Sequence, residues 1–194
     1  MSPLTAARMG RPLRLFEPDV PYFITNRTMQ GRYLLRPSAE TNNIVGAALA
    51  RAATAHGVKI YAYVVTSNHL HLIISGPKGS ISNFMRDFKS WSAKKVGGLI
   101  NWPGSFWHRR FSAEPIVDNA ALRGRYAYII QHGVKECLVD EPEPWPGLHC
   151  AQQLRDGVRG GRGRGGADRR GEHREAIVAV VLSPRDLDPE RLGK

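Results

Sequence analysis

With 194 residues and 42% hydrophobic side chains, the chain can bury one core, and one domain with a tail is expected. No apolar run nears the roughly 20 residues that span a bilayer, no signal-peptide core opens the chain, and Cys137 and Cys150 have no CxxC spacing; this argues against a membrane protein, a disulfide scaffold or a cysteine zinc site, and for a cytoplasmic protein. The formal charge is +11, and residues 1–150 alone hold 18 basic and 10 acidic side chains, so the folded part is itself basic and suited to polyanions.

After a basic lead (Arg8, Arg11, Arg14), Val20–Arg27 is aromatic and β-branched behind a proline and predicts a strand. Ser38–His56 has apolar residues at spacings of three and four, with Ser38 as N-cap and Gly57 as terminator, which predicts a helix. Lys59–Val65 and His69–Ser75 are Val-, Ile- and Tyr-rich runs separated by three residues, a hairpin signal. Ser80 is a candidate cap for a helix over Ile81–Val96 ended by Gly97-Gly98. A strand follows near Phe111–Val117, and Asp118 caps a third helix running to about His132. That order fits an α+β ferredoxin-like sandwich, an antiparallel sheet with helices on one face. Residues 1–150 form the expected domain; residues 151–194, whose Gly157–Arg174 stretch is mostly Gly and Arg, form a tail too polar to fold alone. Glu175–Ser183 is apolar enough for an edge strand or a short helix.

The hairpin carries the first chemical signal, "TSNHLHLII" at residues 66–74. On a strand, His69 and His71 share one face while Leu70, Leu72 and Ile74 take the other, so two imidazoles can address one ion. Histidine pairs on a strand also occur without a metal. The third helix adds Tyr128 and His132, four apart and hence on one helical face. If that face meets the histidine side of the sheet, three imidazoles and a phenol converge. A tyrosine, with a reference pKa of about 10, is a weak nucleophile unless its electrophile is polarised or its proton is drawn away. A second signal lies between Lys78 and Arg125, where basic residues are interleaved with aromatic ones. Arg86, Lys89, Arg109 and Arg110 are candidates to hold phosphates, and Trp91 and Trp107 to stack bases, with core packing the alternative for Trp107 and Phe111.

These stretches together resemble the single-tyrosine transposases with a histidine-hydrophobic-histidine motif, in particular the REP-associated tyrosine transposases. "SNHLHLII" is similar to the family's Asn-His-x-His stretch, "YFITNRTMQGRYLL" to its first strand and following loop, and "GSFWHRRF" to its Gly-x-x-Trp-x-x-Arg-Phe segment. "YAYIIQHGVKECLVDEPEPWPGLHC" resembles its tyrosine segment and the proline-tryptophan-proline stretch behind it. The resemblance spans about Arg11 to Cys150. It implies Tyr128 as nucleophile with Tyr126 as fallback, His69 and His71 as metal ligands, and His132 as the third ligand where the family usually has Asn. Gly133 departs from the usual proline, and Thr66-Ser67 from the usual Met-Pro.

The implied activity is metal-dependent cleavage and rejoining of single-stranded or hairpin DNA through a 5′-phosphotyrosine, with Mg²⁺ or Mn²⁺. Ligand softness favours Mn²⁺ or Zn²⁺ over Mg²⁺ for three imidazoles. A homodimer is allowed and not required. Two other classes remain at this point: a non-catalytic hairpin DNA- or RNA-binding module, and a structural zinc protein, which would need a fourth protein ligand.

Overall fold

The computed structural model describes residues 14–142 and 144–151. The Gly/Arg-rich stretch, the apolar run at 175–183, Arg8 and Arg11 lie outside them. Strand β1 (Tyr22–Arg27) leads through a single 3-10 turn to helix α1 (Ala39–His56), then to the hairpin β2 (Lys59–Val65) and β3 (His69–Ser75). Helix α2 (Ser80–Leu99), strand β4 (Ser112–Pro115), helix α3 (Asn119–Ile130) and the short α4 (His132–Lys135) follow.

The four strands form one antiparallel sheet in the order β2-β3-β1-β4, so the chain is an α+β protein. Strand β3 is central and wholly buried. Pairing fixes which residues share a face, because partners across a ladder point the same way. His69, His71 and Ile73 lie with Arg27, Thr25 and Phe23 of β1, whereas Leu70, Leu72 and Ile74 lie with Asn26, Ile24 and Tyr22. Helices α1 and α2 pack on each other, and the buried apolar residues of both join the core cluster that holds Leu70, Leu72 and Ile74. The link runs from Tyr22 through the edge contact of Phe16 to Phe111, which shares a cleft with Met85 and Lys89 of α2. Helix α3 instead lies over the face of the histidines, its Tyr128 ring against Phe23 and His71.

Local chemistry explains the boundaries. Ser38 Oγ accepts from Thr41 N–H at 3.1 Å, and Gly57, at φ 63°, ends α1 with Val58 N–H donating to Ala53 O. Asp118 caps α3, accepting from Ala121 N–H at 2.7 Å.

The end of α2 departs from expectation. Gly79, not Ser80, is its N-cap, because Ser80 Oγ donates to Pro77 O at 2.6 Å. The helix also runs through Gly97-Gly98 to Leu99. The left-handed residue is Asn101 (φ 52°), with Asn101 N–H returning to Gly98 O and Trp102 N–H to Gly97 O, the paired bonds of a Schellman end. Strand β4 is shorter than expected, and the third helix breaks at Gln131, which leaves His132 at the start of α4.

The segment behind α4 closes the β2 edge. Val65 N–H donates to Leu148 O, Cys150 N–H to Tyr63 O, and Trp145 Nε1–H to Val65 O at 3.0 Å. Gly147 permits this: a Cβ there would overlap Trp145 Nε1 and sit 2.7 Å from Val65 O. Gly147→Ala is therefore expected to destabilise the domain by about 2–4 kcal/mol, combining overpacking with a lost buried hydrogen bond. A urea melt measures this; an unchanged midpoint would show that the strap is not packed as described.

Candidate active site

Strand alternation and one helical turn bring the residues together. His69 and His71 project from β3, and His132 arrives from α4 to meet them, with one ring nitrogen of each lying within 4.8 Å of the others. All three are buried. The ring centroids are 5.1 Å apart for His69–His71, 4.9 Å for His69–His132 and 4.6 Å for His71–His132. Despite the break at Gln131, Tyr128 and His132 keep their shared face, their rings 5.1 Å apart, and Tyr128 stands edge-on to His71 at 5.2 Å.

Neighbouring oxygens orient the imidazoles. His69 Nδ1 is 2.6 Å from Asn68 Oδ1 and 2.9 Å from Thr66 Oγ1, and His71 Nδ1 is 2.9 Å from Thr25 Oγ1. Asn68 Oδ1 can only accept, so the His69 proton belongs on Nδ1 and the Nε2 lone pair faces inward. That Nε2 is 2.7 Å from His132 Nε2, close enough that His132 must donate to it. The consequence is a buried lone pair on His132 Nδ1, which has no hydrogen-bond partner among the described residues. Burial lowers the pKa of all three imidazoles; mutual repulsion and Arg27 add to this for His69, pushed down to about 4, and for His71, while for His132 Glu136 partly opposes burial and Lys135 adds to it. Neutral, preoriented imidazoles with an unsatisfied lone pair fit a divalent ion.

Burial of these groups also sets a pH dependence. In a chelator the folded protein binds fewer protons at its histidines than the unfolded chain, so the difference is absent above the ordinary value near 6.5 and grows as pH falls below it. For His69 the window extends down to about 4. The melting temperature in EDTA is expected to drop steadily from pH 6.5 to 4.5, and less steeply in His71→Asn. A flat profile in the parent protein would argue against neutral burial.

Cations surround the histidines. Arg27 pairs across the ladder with His69; Arg125 lies over the Phe23 ring and bonds Glu114 at 2.5 Å; Lys135 Nζ lies 4.9 Å from the centre of the Tyr128 ring. None of the three was singled out from the sequence. The signal was present, because Arg27 shares a strand face with Thr25, Arg125 lies three residues before Tyr128 and Lys135 three after His132. Thr25, Thr66 and Asn68, which hold the imidazoles, were also missed.

The two tyrosines differ. The Tyr126 hydroxyl donates to Tyr61 O at 3.3 Å, at the point where β2 bulges, and burial pushes its phenol well above the ordinary value. The Tyr128 hydroxyl makes no hydrogen bond among the described residues, and its ring lies among the histidines.

The residues expected to contact nucleic acid gather elsewhere, around α2. Trp107 donates to Lys89 O at 3.1 Å and packs against Phe88 and Phe106. Arg51 covers one face of Trp91 at 4.5 Å. Arg86 is exposed and bonded to Asp87, Lys89 donates to Arg109 O at 2.8 Å, and Arg109 and Arg110 are exposed.

A family model described as "Transposase IS200 like" matches residues 30–132, more than half of the chain, and its span includes all three histidines and Tyr128. The chain belongs to the IS200-like transposases. As a member of that family it is a transposase-like protein that acts on DNA. No curated protein matches it. Among solved structures it is similar to a REP-associated tyrosine transposase bound to a REP hairpin, with a TM-score of 0.63 and 21% identity over 76% of this chain and 86% of that one. A Deinococcus radiodurans R1 transposase-type structure aligns at a TM-score of 0.44 and 19% identity, over 66% of this chain and 97% of its own. The first likeness supports the fold of this IS200-like transposase. Among its described residues, no helix is long and apolar enough to cross a membrane.

Proposed function

We propose that this transposase cleaves and rejoins single-stranded, hairpin-containing DNA, with Tyr128 as nucleophile and His69, His71 and His132 as ligands of a divalent ion. The observation that carries the reading is the Tyr128 ring packed against two of three convergent, buried histidines. Mg²⁺ or Mn²⁺ bound to the three imidazoles supplies Lewis-acid polarisation of a phosphate oxygen, and three nitrogen donors favour Mn²⁺ of the two.

The chain's own groups do the rest. Tyr128 Oη attacks the scissile phosphorus, the phenol proton passes to solvent, and the bond to the 3′ oxygen breaks. The leaving oxygen takes up a proton as a 3′-hydroxyl, and the 5′ phosphate remains on Tyr128. Attack on that link by another 3′-hydroxyl reverses the step and joins strands. Arg27, Arg125 and Lys135 hold the phosphate and offset its charge, the role that preorganised cations play in phosphoryl transfer. Thr25 and Asn68 keep the imidazoles aimed. No fourth protein ligand joins the three histidines among the described residues, which supports an open coordination position over a closed structural zinc site.

The test is incubation of the full chain with end-labelled hairpin DNAs in Mn²⁺, Mg²⁺ or EDTA and denaturing gel analysis. A covalent protein–DNA adduct that requires the metal is expected. Tight binding without any adduct, across several hairpins, would replace this reading with a non-catalytic hairpin-binding module.

A further inference from the structure

On the sheet face opposite the histidines, a cleft of about 410 Å³ opens between α2 and the segment entering β4, lined by Ser82, Met85, Arg86, Lys89, Arg110 and Phe111. Arg14 lies against it, its guanidinium 4.5 Å from the centre of the Phe111 ring and its Nη1 buried without a hydrogen-bond partner among the described residues. We infer that this cleft is a second phosphate-binding site, taking a backbone phosphate of the DNA at a distance from the cleaved bond; the inference rests on the DNA reading above.

Charge is the main reason. Arg14, Arg86 and Lys89 meet Arg110 here, and Asp87, the carboxylate next to Arg86, is shared between Arg86 Nε at 2.8 Å and His56 Nε2 at 2.7 Å. Lys89 makes one hydrogen bond, to Arg109 O, and an ammonium has two further protons to give. Burial and the neighbouring cation pull both Arg14 and Lys89 below their ordinary values, as expected of positive groups crowded together. Met85 and Phe111 give the cleft an apolar floor, suited to a deoxyribose beside the phosphate. Phe111 of the cleft joins through Phe16 to Tyr22 on one face of the sheet, whereas Tyr128 packs on Phe23 of the other, so a phosphate held there belongs to a remote part of the DNA. Its contribution is to affinity and placement, not to the bond that breaks.

The experiment has two arms, both on the full chain with Arg110→Gln and Arg14→Gln. Arg110 is exposed, so its variant does not endanger the fold. In the first arm, anisotropy of a labelled hairpin DNA is measured against NaCl concentration. Each variant is expected to bind about 10-fold more weakly and to lose about one unit of salt slope, whereas Arg36→Gln, exposed and outside the cleft, retains more of both. In the second arm, inorganic phosphate is titrated while the melting temperature is followed, and the parent protein is stabilised but the variants are not. Loss in both arms supports the site. Loss of the phosphate effect with an unchanged hairpin slope overturns the DNA assignment and leaves a free-anion site. Unchanged behaviour in both arms, with hairpin still bound by the parent protein, overturns the site and leaves the proposed function standing. Failure of the parent protein to bind any hairpin removes the proposed function itself, and the DNA assignment of the cleft with it.

Discussion

Tyr128→Phe is expected to abolish the covalent protein–DNA adduct, lowering its rate of formation by at least about 1,000-fold, while hairpin binding stays within about twofold. Removing a nucleophile deletes the bond-forming atom, and losses of this size or larger are typical when what remains is positioning and electrostatics. Binding survives because the ring, which packs on Phe23, His71 and His132, is kept, and the hydroxyl makes no bond within the described residues. Tyr126→Phe is the internal control. It removes a hydroxyl that donates to Tyr61 O, costing about 1 kcal/mol of stability and leaving the adduct intact. Adduct formation that persists in Tyr128→Phe and disappears in Tyr126→Phe would move the nucleophile by one residue pair and break the proposed link between helix face and metal.

The fold was legible where patterning is strong. The hairpin β2–β3 falls at its expected residues because β-branched runs flank a short polar turn, and α1 because both of its caps are written in side chains, Ser38 and Gly57. The end of α2 was not legible. Two glycines normally stop a helix, but here the left-handed residue that closes α2 is Asn101, and the stop moves three residues on. The break at Gln131 was missed as well. It has no glycine or proline to announce it, and what α4 packs against lies further along the chain: a Cβ at Gly133 would crowd Val139 Cγ2 at 3.0 Å and reach Trp145 Cβ at 3.7 Å.

The site was legible in part. Spacings of two on a strand and four on a helix are intrinsic to the elements, so the grouping of His69 with His71, and of Tyr128 with His132, could be read from the chain. That the two groups meet depends on which face α3 covers, which local pattern does not encode. The aromatic and basic residues around α2 show the opposite limit. Composition drew them together as one nucleic-acid surface, but the α2 helix divides them: Trp107 turns inward, Trp91 faces Arg51 of α1, and Arg86, Lys89 and Arg110 open onto the cleft beside Phe111.

His132→Ala should reduce Mn²⁺ affinity by more than about 100-fold and remove the adduct at ordinary metal concentrations. Loss of groups that only orient a ligand typically costs 10–100-fold, and loss of a donor from a set of three exceeds that. His132→Asn is the more informative change, because it places the residue that the resembling family carries at this position. An amide oxygen is a harder donor than imidazole, so His132→Asn should retain measurable activity and shift metal preference from Mn²⁺ toward Mg²⁺. Both variants remove the buried unpaired Nδ1 while giving up the 2.7 Å hydrogen bond to His69 Nε2, two opposed effects, so neither is expected to unfold the metal-free protein. Isothermal titration with each metal, alongside adduct formation, separates the outcomes. Unchanged Mn²⁺ binding in His132→Ala would show that His132 is packed beside the ion without ligating it, and would leave His69 and His71 as a two-histidine site completed by the DNA phosphate and water.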